Sequence, residues 1–351
     1  MEHIPEPVAS RNLRSFESGL SMENAINFTS TSLPNEMFPV DAFKEAFNAV
    51  LDREKGGAFR SASTGSRRHL CVPRYAAAGR LSHAGASGTT VEDIVGNNTM
   101  DRMQKAEAYR KELGKTGAPA LAGTDPELAA IRERLEYGEI AGQGCLDARR
   151  RRLITLVVLA AIQTPEGIGE ETRAALHQGV RPEEIREALY QCAPYIGFPR
   201  TEAALRHADA ALEAAGIALP LPEGGTVSEE DRFEKGLAVQ TGIFGDAISK
   251  MHASAPEGQR EILVRHLSAF CFGDIYTRTG LDLPLRELLT FCIISALGGC
   301  EAQVKAHVQG NAAVGNGKQL LVDALLQMLP CIGFPRTLNA LACVNSVLPE
   351  A

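Results

Sequence analysis

The stretch that decides the fold is residues 273–341, GDIYTRTGLDLPLRELLTFCIISALGGCEAQVKAHVQGNAAVGNGKQLLVDALLQMLPCIGFPRTLNAL. Its apolar run at residues 288–297 is too short to span a bilayer and suits a buried core helix. The same stretch holds an acid, a thiol and an imidazole at spacings that helical geometry can bring together: Glu287, Cys300 and His307. Cys300, Gln303 and His307 stand at i, i+3 and i+7, one face of a helix. Gly298 and Gly299 should break the preceding helix and leave Cys300 near a new helix N-terminus. Free backbone N–H groups and the helix dipole favour a thiolate there. The tight turn also lets Glu287 fold back toward His307.

A weaker copy lies upstream. GFPRT occurs at residues 197–201 and 333–337, an offset of 333 − 197 = 136. LDxxxRxLxT occurs at residues 146–155 and 281–290, an offset of 281 − 146 = 135. Leu189 and Gln191 correspond to Leu325 and Gln327. Ordered motifs at near-constant spacing indicate a tandem duplication. Each copy reads as about four helices without a convincing strand, and the copies should pack on each other. The GFPRT segments read as helix starts at an inter-repeat contact, with Pro in the first turn.

Around the repeats the chain divides into four parts. Residues 1–98 are rich in Ser, Gly, Asn, Thr and Arg, and lack helical or strand periodicity apart from an amphipathic piece at 40–52. Such a segment buries too little apolar surface to order itself, so it is expected to be poorly structured, or to lie upstream of a true start at Met100 or Met103. The first repeat occupies residues 100–216, a Pro/Gly linker 217–227, and the second repeat 228–351. One long helix is expected from residue 228 to about 252, and another over 257–272.

Bulk properties limit the function classes. The 351 residues are 44% hydrophobic and 23% charged, with a net charge of −7, which does not suit a nucleic-acid backbone. No apolar run is long enough for a membrane span, and the first residues carry no secretory signal. Eight cysteines without a CxxC pair suit reduced thiols in a cytoplasmic protein.

With these motifs in place, RELLTFCIISALGG, the His-bearing helix and ALLQMLPCIGFPRTLNAL resemble the carboxymuconolactone decarboxylase family, and RFEKGLAVQTGIFGDAI resembles its lead-in. The likeness covers roughly residues 127–347 as two tandem units. It implies an all-α, alkylhydroperoxidase D-like helical bundle, a homo-oligomer and one of two chemistries. These are cofactor-free decarboxylation of γ-carboxymuconolactone and thiol-based peroxide reduction. In the peroxidase-like relatives an acid precedes a CxxC and a His; here Glu287, Cys300 and His307 match, but Gln303 replaces the second Cys. A local dithiol cycle cannot close without it.

The expected function is therefore decarboxylation of a small carboxylated lactone, without metal or organic cofactor, with His307 as proton donor and Glu287 orienting it. Arg278, Arg286 or Arg336 would hold the substrate carboxylate, as Arg binds carboxylates in bidentate fashion. Cys300 would help, or would be the nucleophile of a one-Cys peroxidase; a non-catalytic oligomeric binding protein is the third reading. In the first repeat Arg152 stands at the place of Glu287 and Glu171 at that of His307 (307 − 136 = 171). That repeat is expected to serve as scaffold and to lend residues to the other's pocket.

Overall fold

The computed structural model describes residues 101–349. The expectations for residues 1–98, including the helix at 40–52, lie outside the described residues. Among the described residues the regular structure is entirely helical. The first repeat and its lead-in hold α1 (Arg102–Glu112), α2 (Pro126–Glu136), α3 (Ala148–Ala161), α4 (Ile168–His177), α5 (Pro182–Tyr190), a short α6 (Ala193–Ile196) and α7 (Phe198–Ala214). The second holds α8 (Arg232–Phe244), α9 (Asp246–Ser254), a π-helix (Glu261–Tyr276), α10 (Leu283–Leu297), α11 (Glu301–Ala313) and α12 (Lys318–Val347).

Local chemistry accounts for the boundaries. Asp147 and Asp282 cap α3 and α10 by accepting from the backbone N–H groups of Arg150 and Leu285, at 2.7 and 2.9 Å. Gly197 and Gly333 take positive φ values of 80° and 70°, so both GFPRT segments restart a helix, and α12 is kinked at Gly333. The first GFPRT makes the expected inter-repeat contact, Phe198 standing 5.4 Å from Phe270 of the π-helix between ring centroids, although Phe198 and Phe334 remain 55% and 65% exposed. The long helix expected over 228–252 is two helices, since Gly245 (φ 58°) breaks it. The helix expected over 257–272 is wound as a π-helix and runs on to Tyr276. Long π-helical runs are rare and tend to accompany functional sites. This one crosses α8 in near backbone contact: a methyl group on Gly236 would lie 2.0 Å from the Ser268 carbonyl oxygen.

The core belongs to both repeats at once. α3 and α10 pack on each other at its centre, and Leu153, Leu156, Leu289 and Phe291 are completely buried. A helix apolar on all sides needs cover on all sides, which one repeat cannot supply. Burial of each such side chain contributes about 1.5–3 kcal/mol.

The polar contact between the repeats is reciprocal. Gln191 of the first donates to Thr290 of the second at 3.0 Å and accepts from Arg286 at 2.9 Å. Gln327 of the second donates to Thr155 of the first at 3.2 Å and accepts from Arg151 at 2.7 Å. The two contact sets exchange roles, the signature of an isologous interface, here within one chain. The repeated Arg, Thr and Gln of the sequence motifs are these interface residues.

Candidate active site

α10 and α11 run into one another through Gly298 and Gly299, whose φ values of 72° and 70° make the turn. This brings Glu287 of α10 and His307 of α11 together: His307 Nδ1 lies 2.9 Å from Glu287 Oε2. Glu287 is completely buried and His307 is 9% exposed. Gly310 makes room for the carboxylate, since a methyl there would stand 2.6 Å from Glu287 Oε2. Asn311 ties the two helices by donating to the carbonyls of Glu287 (3.0 Å) and His307 (2.7 Å), and accepts from Asn316 at 2.8 Å.

The other carboxylate oxygen accepts from the Tyr276 hydroxyl at 2.7 Å. An ionised carboxylate only accepts. With Tyr276 on one oxygen, the consistent assignment puts the His307 proton on Nδ1 and leaves Nε2 for a substrate. Tyr276 also meets Thr290 at 2.8 Å and the Tyr195 hydroxyl at 3.1 Å. Tyr195 comes from the first repeat and stands edge-on to the His307 ring, 6.0 Å between centroids, while Phe244 does so from α8 at 5.4 Å. Burial, reinforced by the Glu287 charge, holds both phenols well above their ordinary pKa of 10, so they stay protonated. Five elements thus meet at the imidazole: α6, α8, the π-helix, α10 and α11.

The remaining expected residues lie elsewhere. Arg286 is completely buried and pairs with Glu187 at 3.1 Å, not with the adjacent Glu287. Arg278 also binds Glu187, at 3.0 Å. Neither guanidinium is free to clamp a substrate. Arg336 is exposed, borders Gly298, and has no ion-pair partner among the described residues. Cys300 caps α11 but turns its thiol back onto the Ile294 carbonyl oxygen at 3.0 Å. Burial, with Glu301 and Cys343 nearby, raises its pKa above 9. The thiolate expected at the helix N-terminus is therefore not favoured: burial and the neighbouring Glu301 act against it. Gln303 is exposed whereas His307 is buried, so the i, i+3, i+7 face is split between solvent and core. Cys292 is completely buried.

Sequence reasoning missed Tyr276, Thr290, Asn311 and Tyr195. Tyr276 stands in the opening GDIY of the decisive stretch. Tyr195 directly precedes IGFPRT, where the second repeat has Cys331 (195 + 136 = 331). The equivalent place in the first repeat is occupied in reverse charge order. Arg152 and Glu171 form an ion pair at 2.8 Å with side chains 4% and 6% exposed.

The fold and this arrangement define a class: an all-helical tandem repeat with a buried acid–imidazole pair on two consecutive helices. Residues 126–210 and 263–346 match the model of the "Carboxymuconolactone decarboxylase family", and the chain belongs to that family through both repeats. Over 85 residues it is 31% identical to the 4-carboxymuconolactone decarboxylase of Acinetobacter baylyi, a match that covers 24% of this chain and 63% of that relative. Among the described residues no helix is long and apolar enough to cross a membrane.

Proposed function

We propose that the second repeat decarboxylates a small carboxylated lactone by acid–base chemistry at His307. The observation that carries this reading is the buried Glu287–His307 pair at 2.9 Å, with no hydrogen bond to Nε2 from the described residues. The name of the Acinetobacter relative supports the substrate class.

In the reaction the bond between the ring carbon and the carboxylate breaks, and CO₂ leaves. The bond's electron pair passes into the unsaturated lactone as a delocalised anion. His307, as imidazolium, protonates that anion from Nε2, and solvent later restores the proton. Glu287 holds the imidazole orientation through Nδ1–H. Tyr276 fixes the carboxylate in turn. Exposed Phe198, Phe334 and Leu338 are the apolar surface for the proposed homo-oligomer.

The thiol reading is weaker on two observations. Cys300 is held in its neutral form, and Gln303 occupies the position a resolving thiol would need. The deciding experiment gives the purified protein 4-carboxymuconolactone and, separately, hydrogen peroxide with a dithiol reductant. CO₂ release with no catalysed peroxide loss is expected. Peroxide turnover without CO₂ release would overturn the proposal.

A further inference from the structure

We infer that Gln191, contributed by the first repeat, is a positioning residue for the Glu287–His307 pair of the second. The hydrogens along the row from Arg286 to Glu287 have one consistent direction. Arg286 can only donate, so the Gln191 oxygen must face it, and the orientation of the amide is fixed. The Gln191 amide N–H then donates to Thr290 at 3.0 Å. The Thr290 hydroxyl is left to donate to Tyr276 at 2.8 Å, and Tyr276 donates to Glu287 at 2.7 Å. The row begins on a buried cation and ends on the buried carboxylate that holds His307. Such rows polarise one another, so the strength with which Tyr276 donates to Glu287 depends on Gln191. Arg286 is itself anchored by Glu187, again from the first repeat, at 3.1 Å, and by the Arg278 carbonyl at 2.8 Å.

The reciprocal contact provides an internal control. Arg151, Gln327 and Thr155 repeat the first three members, but the row stops there. The Thr155 hydroxyl donates back to the Arg151 carbonyl of its own helix at 2.9 Å. At the place of Tyr276 stands Ala141 (276 − 135 = 141), and at that of Glu287 stands Arg152 (287 − 135 = 152). The same interface chemistry therefore occurs twice, and only one copy reaches an imidazole. This explains what the first repeat does for the second: it supplies both Gln191 and the Tyr195 ring beside His307. The titratable groups that face the pair are Tyr276 and Cys271 from the π-helix and Tyr195 from α6, while α8 presents Ile243 and Phe244.

The functional consequence rests on the reaction proposed for His307, but the test needs no substrate, so the two fail separately. The full-length chain is labelled with 15N-histidine, and the Nδ1–H proton resonance of His307 is assigned by its loss in His307→Gln. Gln191→Leu and Thr290→Val should move that resonance downfield, because Glu287 concentrates its charge on the oxygen facing His307 once Tyr276 donates less strongly. Gln327→Leu and Thr155→Val remove equivalent interface bonds and should leave it in place. The proposal is overturned if Gln191→Leu leaves the resonance unmoved, or if Gln327→Leu moves it equally. Should Gln191→Leu lose its dispersed spectrum, the Thr290→Val and Thr155→Val pair decides on the same criterion.

Discussion

Replacing Glu287 by Gln keeps the volume of the side chain and removes what the site requires of it. The carboxylate accepts from Tyr276 at 2.7 Å and from His307 at 2.9 Å, and no part of it reaches solvent. An amide has one accepting oxygen and one donating nitrogen, so one of the two donors must meet an N–H₂ group. If that is Tyr276, its hydrogen is left without its acceptor. If it is His307, the ring must carry its proton on Nε2 and lose the anionic partner. A buried donor left unsatisfied costs about 1–3 kcal/mol. At about 2–4 °C per kcal/mol for a domain of this size, the melting temperature should fall by about 2–12 °C in scanning calorimetry. The rate of CO₂ release should fall about 10²–10⁴-fold, the usual contribution of a positioned acid–base group. A Glu287→Gln protein that melts and turns over like the parent would refute the reasoning that this carboxylate organises the site.

The ion pair of the first repeat makes a separate prediction. Arg152→Met leaves Glu171 buried without its cation, and should cost about 3–5 kcal/mol in a urea titration. Adding Glu171→Leu should recover much of that loss, because no uncompensated charge remains. Stability should also fall at alkaline pH. Burial pushes the Cys271 thiol up to about 12, from 9 when exposed. Below pH 9 both folded and unfolded chains keep this proton; between 9 and 12 the unfolded chain loses it first, so stability drops by up to about 1.4 kcal/mol per pH unit from this thiol. Cys271→Ala should flatten that slope. Finally, alkylation of Cys300 by iodoacetamide, followed by peptide mass spectrometry, should keep accelerating above pH 9. A plateau near neutral pH would show a stabilised thiolate instead.

Much of the fold was legible because it depends on local signals. The glycine break at 298 and 299, the two GFPRT helix starts and the apolar run at 288–297 were enough to place the helices around the site. The approach of Glu287 to His307 was legible for the same reason, since one short turn joins their helices. What escaped depends on contacts distant in sequence. Arg286 sits next to Glu287 in the chain, yet its partner is Glu187, nearly one hundred residues upstream. Adjacent residues on a helix point in different directions, so neighbours in sequence need not share a partner. Tyr195 was hidden because its counterpart in the repeat is Cys331 and shares none of its chemistry. The Cys300 thiolate was misjudged because position at a helix N-terminus is a sequence property, whereas desolvation is a property of packing. The split of α8 from α9 turned on the single positive φ of Gly245, in a segment whose amphipathic pattern runs on unbroken.

The two repeats thus behave as an internal dimer of unequal partners. One keeps an acid–imidazole pair; the other has a buried Arg–Glu pair in its place and contributes Gln191 and Tyr195 across the interface. The central claim is that His307, not Cys300, performs the chemistry. Single-turnover CO₂ release from 4-carboxymuconolactone, measured for His307→Ala and Cys300→Ser side by side, tests it most directly. The account predicts a rate within a few-fold of the parent for Cys300→Ser and a loss of about 10²–10⁴-fold for His307→Ala. The opposite order, with activity lost in Cys300→Ser and kept in His307→Ala, would contradict it.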